Sequence, residues 1–433
     1  MQIASLAASA ILSTSELSSS PPATTFPIEF IIDSSSSSLT TVAAPQEFFP
    51  LSTASTTLVP PPLALSSLKD NLMALPMSLM NFDDDSSTIP FLLATVVTLV
   101  LTVGLTWIFY PALSAVTDVI EWNEVEMSSS DSTTKNEIVL LSLIVPAYNE
   151  QDRIARMIES SHAYLSSKNG RETLQKISST TTTNVSNNNL NVEWVFVNDG
   201  STDATTAVIE QTYQKLMMKR RIPNNKSNSN SYWRVLSLTQ NSGKGAAVKT
   251  GMLNARGKYR LMVDADGATE FGPGLERLVD VLLLQKHQNE KLDNSENMKI
   301  AIFGSRAHLA KESGAQRSLV RTILMYGFHF FVRILVSNAI QDTQCGFKLL
   351  SEEAALASFD KLHLRRWAFD TELLIRLSRL DIPVHEVGVP WQEVDGSKLN
   401  TSKFSLAWVS LSMLRDMVCV RACYTLGIWS SKK

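Results

Sequence analysis

From residue 138 onward the chain alternates short apolar runs with amphipathic stretches, and this alternation predicts its architecture. Ile138 to Val145, Val192 to Asn198, Arg234 to Leu238, Tyr259 to Val263 and Lys299 to Gly304 read as strands, each short and rich in Val, Ile, Leu or Phe. Between them lie helix-like stretches near Glu150 to Leu165, Asp203 to Met218, Gly245 to Asn254 and Pro273 to Leu284. Continuously apolar strands are covered on both faces, and helices between them give an α/β unit with a mainly parallel sheet. Three polar inserts, 167–191, 219–231 and 286–298, read as surface loops and not as sheet.

Upstream the pattern changes twice. Residues 91–113 are predominantly apolar and carry no charge; at about 1.5 Å per residue this length crosses a hydrocarbon core of about 30 Å. Trp107 and Tyr110 near one end suit a membrane interface. Acids flank both sides (Asp83 to Asp85, then Asp118, Glu121 and Glu124), so the basic-residue rule decides no orientation. An acidic, Ser-rich linker then runs to about Asn136. Residues 1–88 contain one basic residue, Lys69, and are crowded with Ser, Thr and Pro, the composition of a disordered leader. They lack the Arg-rich bias of a transit peptide and the basic start of a secretory signal.

Two later apolar stretches are interrupted by charge: Leu319 to Val336 by Arg321, His329 and Arg333, and Phe404 to Trp429 by Arg415, Asp416 and Arg421. Charge at mid-span is costly, so both read as amphipathic helices at a membrane surface, with packing against the domain as the other reading. The second is expected to occupy 403–429.

Composition narrows the function classes. The chain has 433 residues, with 39 Lys+Arg against 42 Asp+Glu and a net charge of −3, which gives no support to a nucleic-acid partner. The three cysteines, Cys345, Cys419 and Cys423, are too few for a disulfide scaffold and lack a second pair for a zinc ribbon. His329 likewise has no His or Cys at ligand spacing.

In open α/β sheets ligands bind outside the carboxyl ends of the strands. Carboxylates collect there: Pro146-Ala147-Tyr148-Asn149-Glu150 follows the first strand, Asn198-Asp199-Gly200-Ser201-Thr202-Asp203 the second, and Asp264-Ala265-Asp266-Gly267 the fourth. Each alone has a structural reading, Asp203 as a helix N-cap and Asp199-Gly200 as a turn. The Asp264-Ala265-Asp266 spacing says more, because a hard divalent cation commonly takes one or two protein carboxylates plus substrate phosphates. Gly243-Lys244-Gly245 lacks the spacing of a phosphate-binding P-loop, which disfavours a kinase or ATPase.

In one-letter code, LSLIVPAYNE, VFVNDGSTD, NSGKGAAVKTGMLNARG and LMVDADGAT, in this order, resemble the family 2 glycosyltransferases with the GT-A fold. GSRAHL, the stretch from Arg317 to Val336, DTQCGFKLL, RWAFDTELL and RACYTLGIW narrow the resemblance to the dolichyl-phosphate β-glucosyltransferases of the endoplasmic reticulum. It covers about residues 138–429, with the preceding membrane helix, and implies a Rossmann-like GT-A domain over 138–400.

Carried over by position, the resemblance implies that Pro146, Tyr148, Glu150 and Asp199 hold the uracil and ribose of UDP-glucose. Lys244 would lie near the nucleotide, and Asp264 and Asp266 would bind Mg2+ or Mn2+. Asp342, and Asp370 with Glu372, join Asp266 as acids near the reacting centre. A phosphate monoester acceptor has a second pKa of about 6 and is already a dianionic nucleophile near neutral pH, so cations matter more than a strong base. Arg306, Arg317, Arg321, Lys348 and Lys398 are the candidates for the phosphate of dolichyl phosphate; Arg317 and Arg321, four apart, share a helix face.

The expected reaction is displacement at glucose C1 with inversion, giving dolichyl β-D-glucosyl phosphate for protein N-glycosylation. The competing readings are a mannosyl transfer from GDP-mannose, a membrane-anchored nucleotide-binding protein without catalysis, and a processive polysaccharide synthase, for which one span is too few. A domain using UDP-glucose is expected to face the cytosol, where the sequons at Asn184, Asn225 and Asn400 would be unused.

Overall fold

The computed structural model describes residues 88–117, 120–127, 138–181, 190–220, 231–291, 298–312, 340–394 and 403–430, together with Gly327, Phe331 and Ile334. The strands are β1 (Trp122–Glu126), β2 (Val139–Ala147), β3 (Asn191–Asn198), β4 (Ser231–Leu238), β5 (Tyr259–Val263), β6 (Ala301–Ser305), β7 (Phe347–Ser351) and β8 (Val384–Gly388). The helices are α1 (Thr88–Thr117), α2 (Ile154–Ser166), α3 (Lys168–Ser178), α4 (Thr205–Arg220), α5 (Lys244–Asn254), α6 (Phe271–Lys291), α7 (Ala307–Glu312), α8 (Glu352–Phe359), α9 (Phe369–Arg379) and α10 (Lys403–Thr425).

The strands form one sheet in the order β1-β4-β3-β2-β5-β7-β6-β8. Neighbours among β4, β3, β2 and β5 are parallel, as are β6 and β8, whereas β1 and β7 run antiparallel to their partners. The expected mainly parallel α/β sheet is therefore present. Successive side chains of a strand alternate faces, and both faces are apolar here. Leu141, Leu143 and Val145 of β2 with Trp194 and Phe196 of β3 enter one core, beneath α2, α3, α4 and α6. Ile144, Val195 and Val197 enter the other, beneath α5, α8, α9 and α10. Trp194 and Trp233 stack at 4.9 Å in the first core.

Three strands depart from the sequence expectation. β1 lies where an acidic linker was expected; four of its five residues are exposed, and it is bound at the sheet edge by Arg234, which pairs with Glu124 at 2.5 Å and with the fully buried Glu193 at 2.8 Å. β7 contains Lys348, which breaks the apolar run, and β8 is only half-buried along its length. The insert at 167–191 also differs, because residues 168–178 form α3, whose apolar contribution is confined to Leu174 and Ile177. So little apolar content hides a helix from a pattern reading.

Within α1, Leu92–Ser114 is long and apolar enough to cross a membrane; most of it is exposed, while Phe109, Pro111 and Ala112 near its far end pack against the domain. The hydroxyls of Thr98, Thr102 and Thr106 each donate to the carbonyl four residues earlier, at 2.7, 2.7 and 2.8 Å, which satisfies them without water. At the far end of this helix the Arg415 guanidinium of α10 lies over the rings of Trp107 and Tyr110, at 5.5 and 5.8 Å. Helix α10 buries Met413, Met417, Cys419, Val420, Cys423 and Tyr424, and exposes Trp408 and Leu411. The leader, most of the Leu319 to Val336 stretch and the three sequons lie outside the described residues.

Candidate functional site

The loops after β2 and β3 are laced to each other. Asn149, with φ 53°, donates its N–H to Ser201 Oγ at 2.9 Å and accepts from the Thr202 N–H at 2.7 Å; the Glu150 N–H donates to Thr205 Oγ1 at 2.7 Å. Asp203 accepts from the Thr205 N–H at 3.0 Å, which fits its reading as a cap at the start of α4. Tyr148 stands at the rim, about one-third exposed, and Pro146 is buried within β2. The Glu150 carboxylate holds Arg153 through two hydrogen bonds of 2.7 and 2.8 Å.

Asp199 connects this region to the start of α5. Its two oxygens accept the N–H groups of Ser242 and Gly243 at 2.6 and 2.9 Å. Burial raises its pKa and the two N–H bonds oppose the rise. Gly243 has φ 101°, and a Cβ there would lie 2.6 Å from the Arg365 carbonyl oxygen, so only glycine lets the turn approach that loop. The same carbonyl accepts the Ala246 N–H at 2.9 Å.

The turn after β5 brings Asp264 and Asp266 to this edge. Lys244, the first residue of α5, places its Nζ 2.7 Å from Asp264 Oδ1. Asp266 Oδ1 accepts the Ala268 N–H at 2.9 Å, and Gly267 adopts φ 68° to close the turn. Across the β5–β7 pairing, Gly346 leaves the space that the Asp264 carboxylate fills, since a Cβ there would overlap it. Among the described residues no group of three or more His, Cys, Asp or Glu could hold a metal ion by itself. Asp264 and Asp266 offer two carboxylates, the donor type that a hard divalent cation takes together with substrate oxygens.

Two further acid–base pairs line the approach. Arg306 clasps Asp342 through Nε at 2.7 Å and Nη2 at 2.8 Å, and lies 5.5 Å from the Trp391 ring. Burial raises the Asp342 pKa, but the guanidinium prevails and holds it below the usual carboxylate range. Lys348 is almost wholly buried; it pairs with Asp370 at 2.7 Å and donates to the Cys345 carbonyl at 2.6 Å. Burial pushes the Asp370 pKa up, against the pull of Lys348 and Lys244. This differs from the expectation that Lys348 meets an acceptor phosphate: an ammonium so enclosed neutralises Asp370 instead.

Glu372 is also corrected. Residues two apart on a helix point about 200° away from one another, and its buried carboxylate accepts from the His363 and Leu364 N–H groups and the Tyr424 hydroxyl, at 3.0, 2.6 and 3.0 Å. It fastens the 363–364 loop and α10 to α9. Arg317, Arg321 and Lys398 lie outside the described residues. Sequence reasoning passed over Gly346 and the half-exposed Trp367, whose ring lies 5.8 Å from Lys244 Nζ. Both stand inside quoted motifs, yet only the fold carries them to Asp264 and Lys244.

The model of the family described as "Glycosyl transferase family 2" matches residues 142–288. The dolichyl-phosphate β-glucosyltransferase of Dictyostelium discoideum is 42% identical over 69% of this chain and 79% of its own length. That of Mus musculus is 42% identical over 70% of this chain and 80% of its own. Glucosyl-3-phosphoglycerate synthase from Mycobacterium tuberculosis, solved with uridine diphosphate, is 17% identical over 66% of this chain and 80% of that chain, with a TM-score of 0.38. Identity of this extent, over about twice the length of the family 2 segment, means that the chain belongs to the dolichyl-phosphate β-glucosyltransferase family.

Proposed function

We propose that the chain transfers glucose from UDP-glucose to dolichyl phosphate, with inversion at glucose C1, at the cytosolic face of the endoplasmic-reticulum membrane. The observation that carries this reading is the match to relatives of that name over about four-fifths of their length. The convergence of Asp199, Lys244, Asp264, Asp266 and Asp370 at one sheet edge supports it.

In this reading Pro146, Tyr148, Glu150 and Asp199 form the nucleoside end of the site. Asp199 acts through the turn it holds, because ordering Ser242 and Gly243 aims the first N–H groups of α5, and the Lys244 ammonium, toward a diphosphate. Asp264 and Asp266 would hold Mg2+ or Mn2+, which when bound supplies positive charge to the departing UDP. The acceptor phosphate is itself the nucleophile. Asp370 and Asp342 therefore orient glucose hydroxyls and neighbouring cations, and neither has to remove a proton. Arg306, Arg317, Arg321 and Lys398 receive the phosphate, with Lys348 acting on the site through Asp370. Helix α1 anchors the domain, and α10 lies with its exposed Trp408 at the lipid surface.

The test uses membranes containing the full chain, dolichyl phosphate and either radiolabelled UDP-glucose or GDP-mannose. Lipid-extractable product from UDP-glucose alone is expected. Product from GDP-mannose alone would replace this reading with the mannosyl one.

A further inference from the structure

We infer that Lys244 is an exchangeable counter-ion of Asp264: its ammonium neutralises that carboxylate until a divalent cation takes it, and then moves to the diphosphate of the donor, so that cation and nucleotide sugar bind as a coupled pair. The inference deepens the proposed function and rests on it.

Geometry supplies the first step. Lys244 Nζ is 2.7 Å from Asp264 Oδ1, the oxygen type that a hard dication requires. A dication and an ammonium cannot both sit at contact distance on one carboxylate without repelling each other strongly in a partly desolvated site. An arriving dication therefore weakens the hold of Asp264 on the ammonium and favours its release.

The second step is where the ammonium goes. Lys244 is the first residue of α5, on a flexible stem whose backbone is set by the Gly243 turn and by Asp199. Such a stem swings by rotamer change alone. The N-terminus of α5 beside it favours phosphate oxygens. A Lys244 ammonium displaced from Asp264 is therefore available to a diphosphate from the same location.

The third step is the linkage. With two protein carboxylates and no self-sufficient ligand cluster among the described residues, the cation gains from the donor's oxygens, and the donor gains from the ammonium that the cation releases. Each ligand then raises the affinity for the other by the same factor.

The experiment measures Mn2+ binding to the full-length protein in detergent micelles by electron paramagnetic resonance, with and without UDP. For the wild type, UDP should tighten Mn2+ binding by about 100-fold, within the usual range of coupling. In Lys244→Met, Mn2+ alone should bind about tenfold more tightly, and the coupling factor should shrink by about tenfold. Lys215→Met, which also removes one positive charge but at the exposed pair with Glu159, should change neither.

Absence of coupling in the wild type would overturn the inference. So would a Lys244→Met protein whose Mn2+ affinity rises equally with and without UDP, since that is a charge effect and not an exchange. If Lys244→Met does not fold, Lys244→Arg serves: its guanidinium grips a carboxylate more firmly, so Mn2+ alone should bind more weakly, and unchanged binding would count against the exchange. A wild type that turns over UDP-glucose while failing these tests refutes the exchange alone. A wild type that neither binds UDP nor transfers glucose refutes the function beneath it.

Discussion

Gly346 and Asp264 are packed so closely that a methyl group on the first would overlap the carboxylate of the second, while the Gly346 carbonyl accepts the Asp264 N–H at 3.1 Å. The backbone just before β7 thus sets where the first acid of the Asp-Ala-Asp turn can stand. Gly346→Ala should keep the sheet and push this carboxylate aside. Displacements of about 1 Å cost about 100-fold in rate, so transfer should fall by about that factor with little change in the far-ultraviolet circular dichroism. Wild-type turnover in the alanine variant would remove Asp264 from the reaction.

Asp370 and Glu372 lie two residues apart and should fail differently. Asp370→Asn leaves Lys348 buried without its counter-charge, which typically costs about 3–5 kcal/mol, and also disables the site. The double variant Asp370→Asn with Lys348→Met should recover most of the stability in denaturant titrations and none of the transfer. Glu372→Gln should lower stability by about 1–3 kcal/mol through its lost backbone contacts, with kcat per folded molecule within about threefold of wild type. Equal losses of kcat in both single variants would contradict the division of roles.

The Arg306–Asp342 pair gives a pH dependence with a definite sign. The folded pKa of Asp342 lies below its unfolded value of about 3.9. Its contribution is therefore full above that value and is lost as pH falls through the lowered folded pKa. The stability gap between wild type and Asp342→Asn should be constant from about pH 5 to about pH 8 and close below about pH 4. A gap that widens on acidification would show that the pair is not formed in solution.

Glu193 tests the fold without touching the site. Fully buried in β3, it accepts from Ser142 Oγ at 2.5 Å, from Arg234 at 2.8 Å and from the Arg256 N–H at 2.8 Å, and so joins β2, β3 and β4. Glu193→Ala leaves Arg234 buried beside a void and should cost about 3–5 kcal/mol of unfolding free energy. A loss under about 1 kcal/mol, the ordinary value for an exposed pair, would mean that the network is open to water.

Much of this arrangement was legible in the sequence. β2, β3 and β5 are mainly apolar runs because both sheet faces are covered, despite Glu193 in β3 and Arg260 in β5, and their carboxyl ends carry Glu150, Asp199, Asp264 and Asp266 as the residue pattern indicates. β7 and β8 were not legible. A buried lysine interrupts the first, and the second is half-exposed at the sheet edge. Polar composition concealed α3 and β1, since both depend on contacts supplied by distant elements, α3 on α6, where Asp280 faces Lys176 at 3.6 Å, and β1 on Arg234. At the site, residue types were readable but partners were not. Nothing local in the sequence pairs Lys348 with Asp370 or sets Gly346 against Asp264; antiparallel pairing of β7 with β5 and the placement of α9 do that.

The central claim is that the Asp264 and Asp266 carboxylates serve the transfer of glucose from UDP-glucose to dolichyl phosphate. The most direct measurement is radiolabelled glucose recovered in the lipid extract of membranes carrying wild type, Asp264→Ala or Asp266→Ala, with Mn2+ or Mg2+ supplied. The account predicts cation-dependent product from the wild type and less than about 1% of it from either variant, since a loss of this order corresponds to about 2.7 kcal/mol or more of barrier. Full cation-dependent transfer by either variant would contradict it.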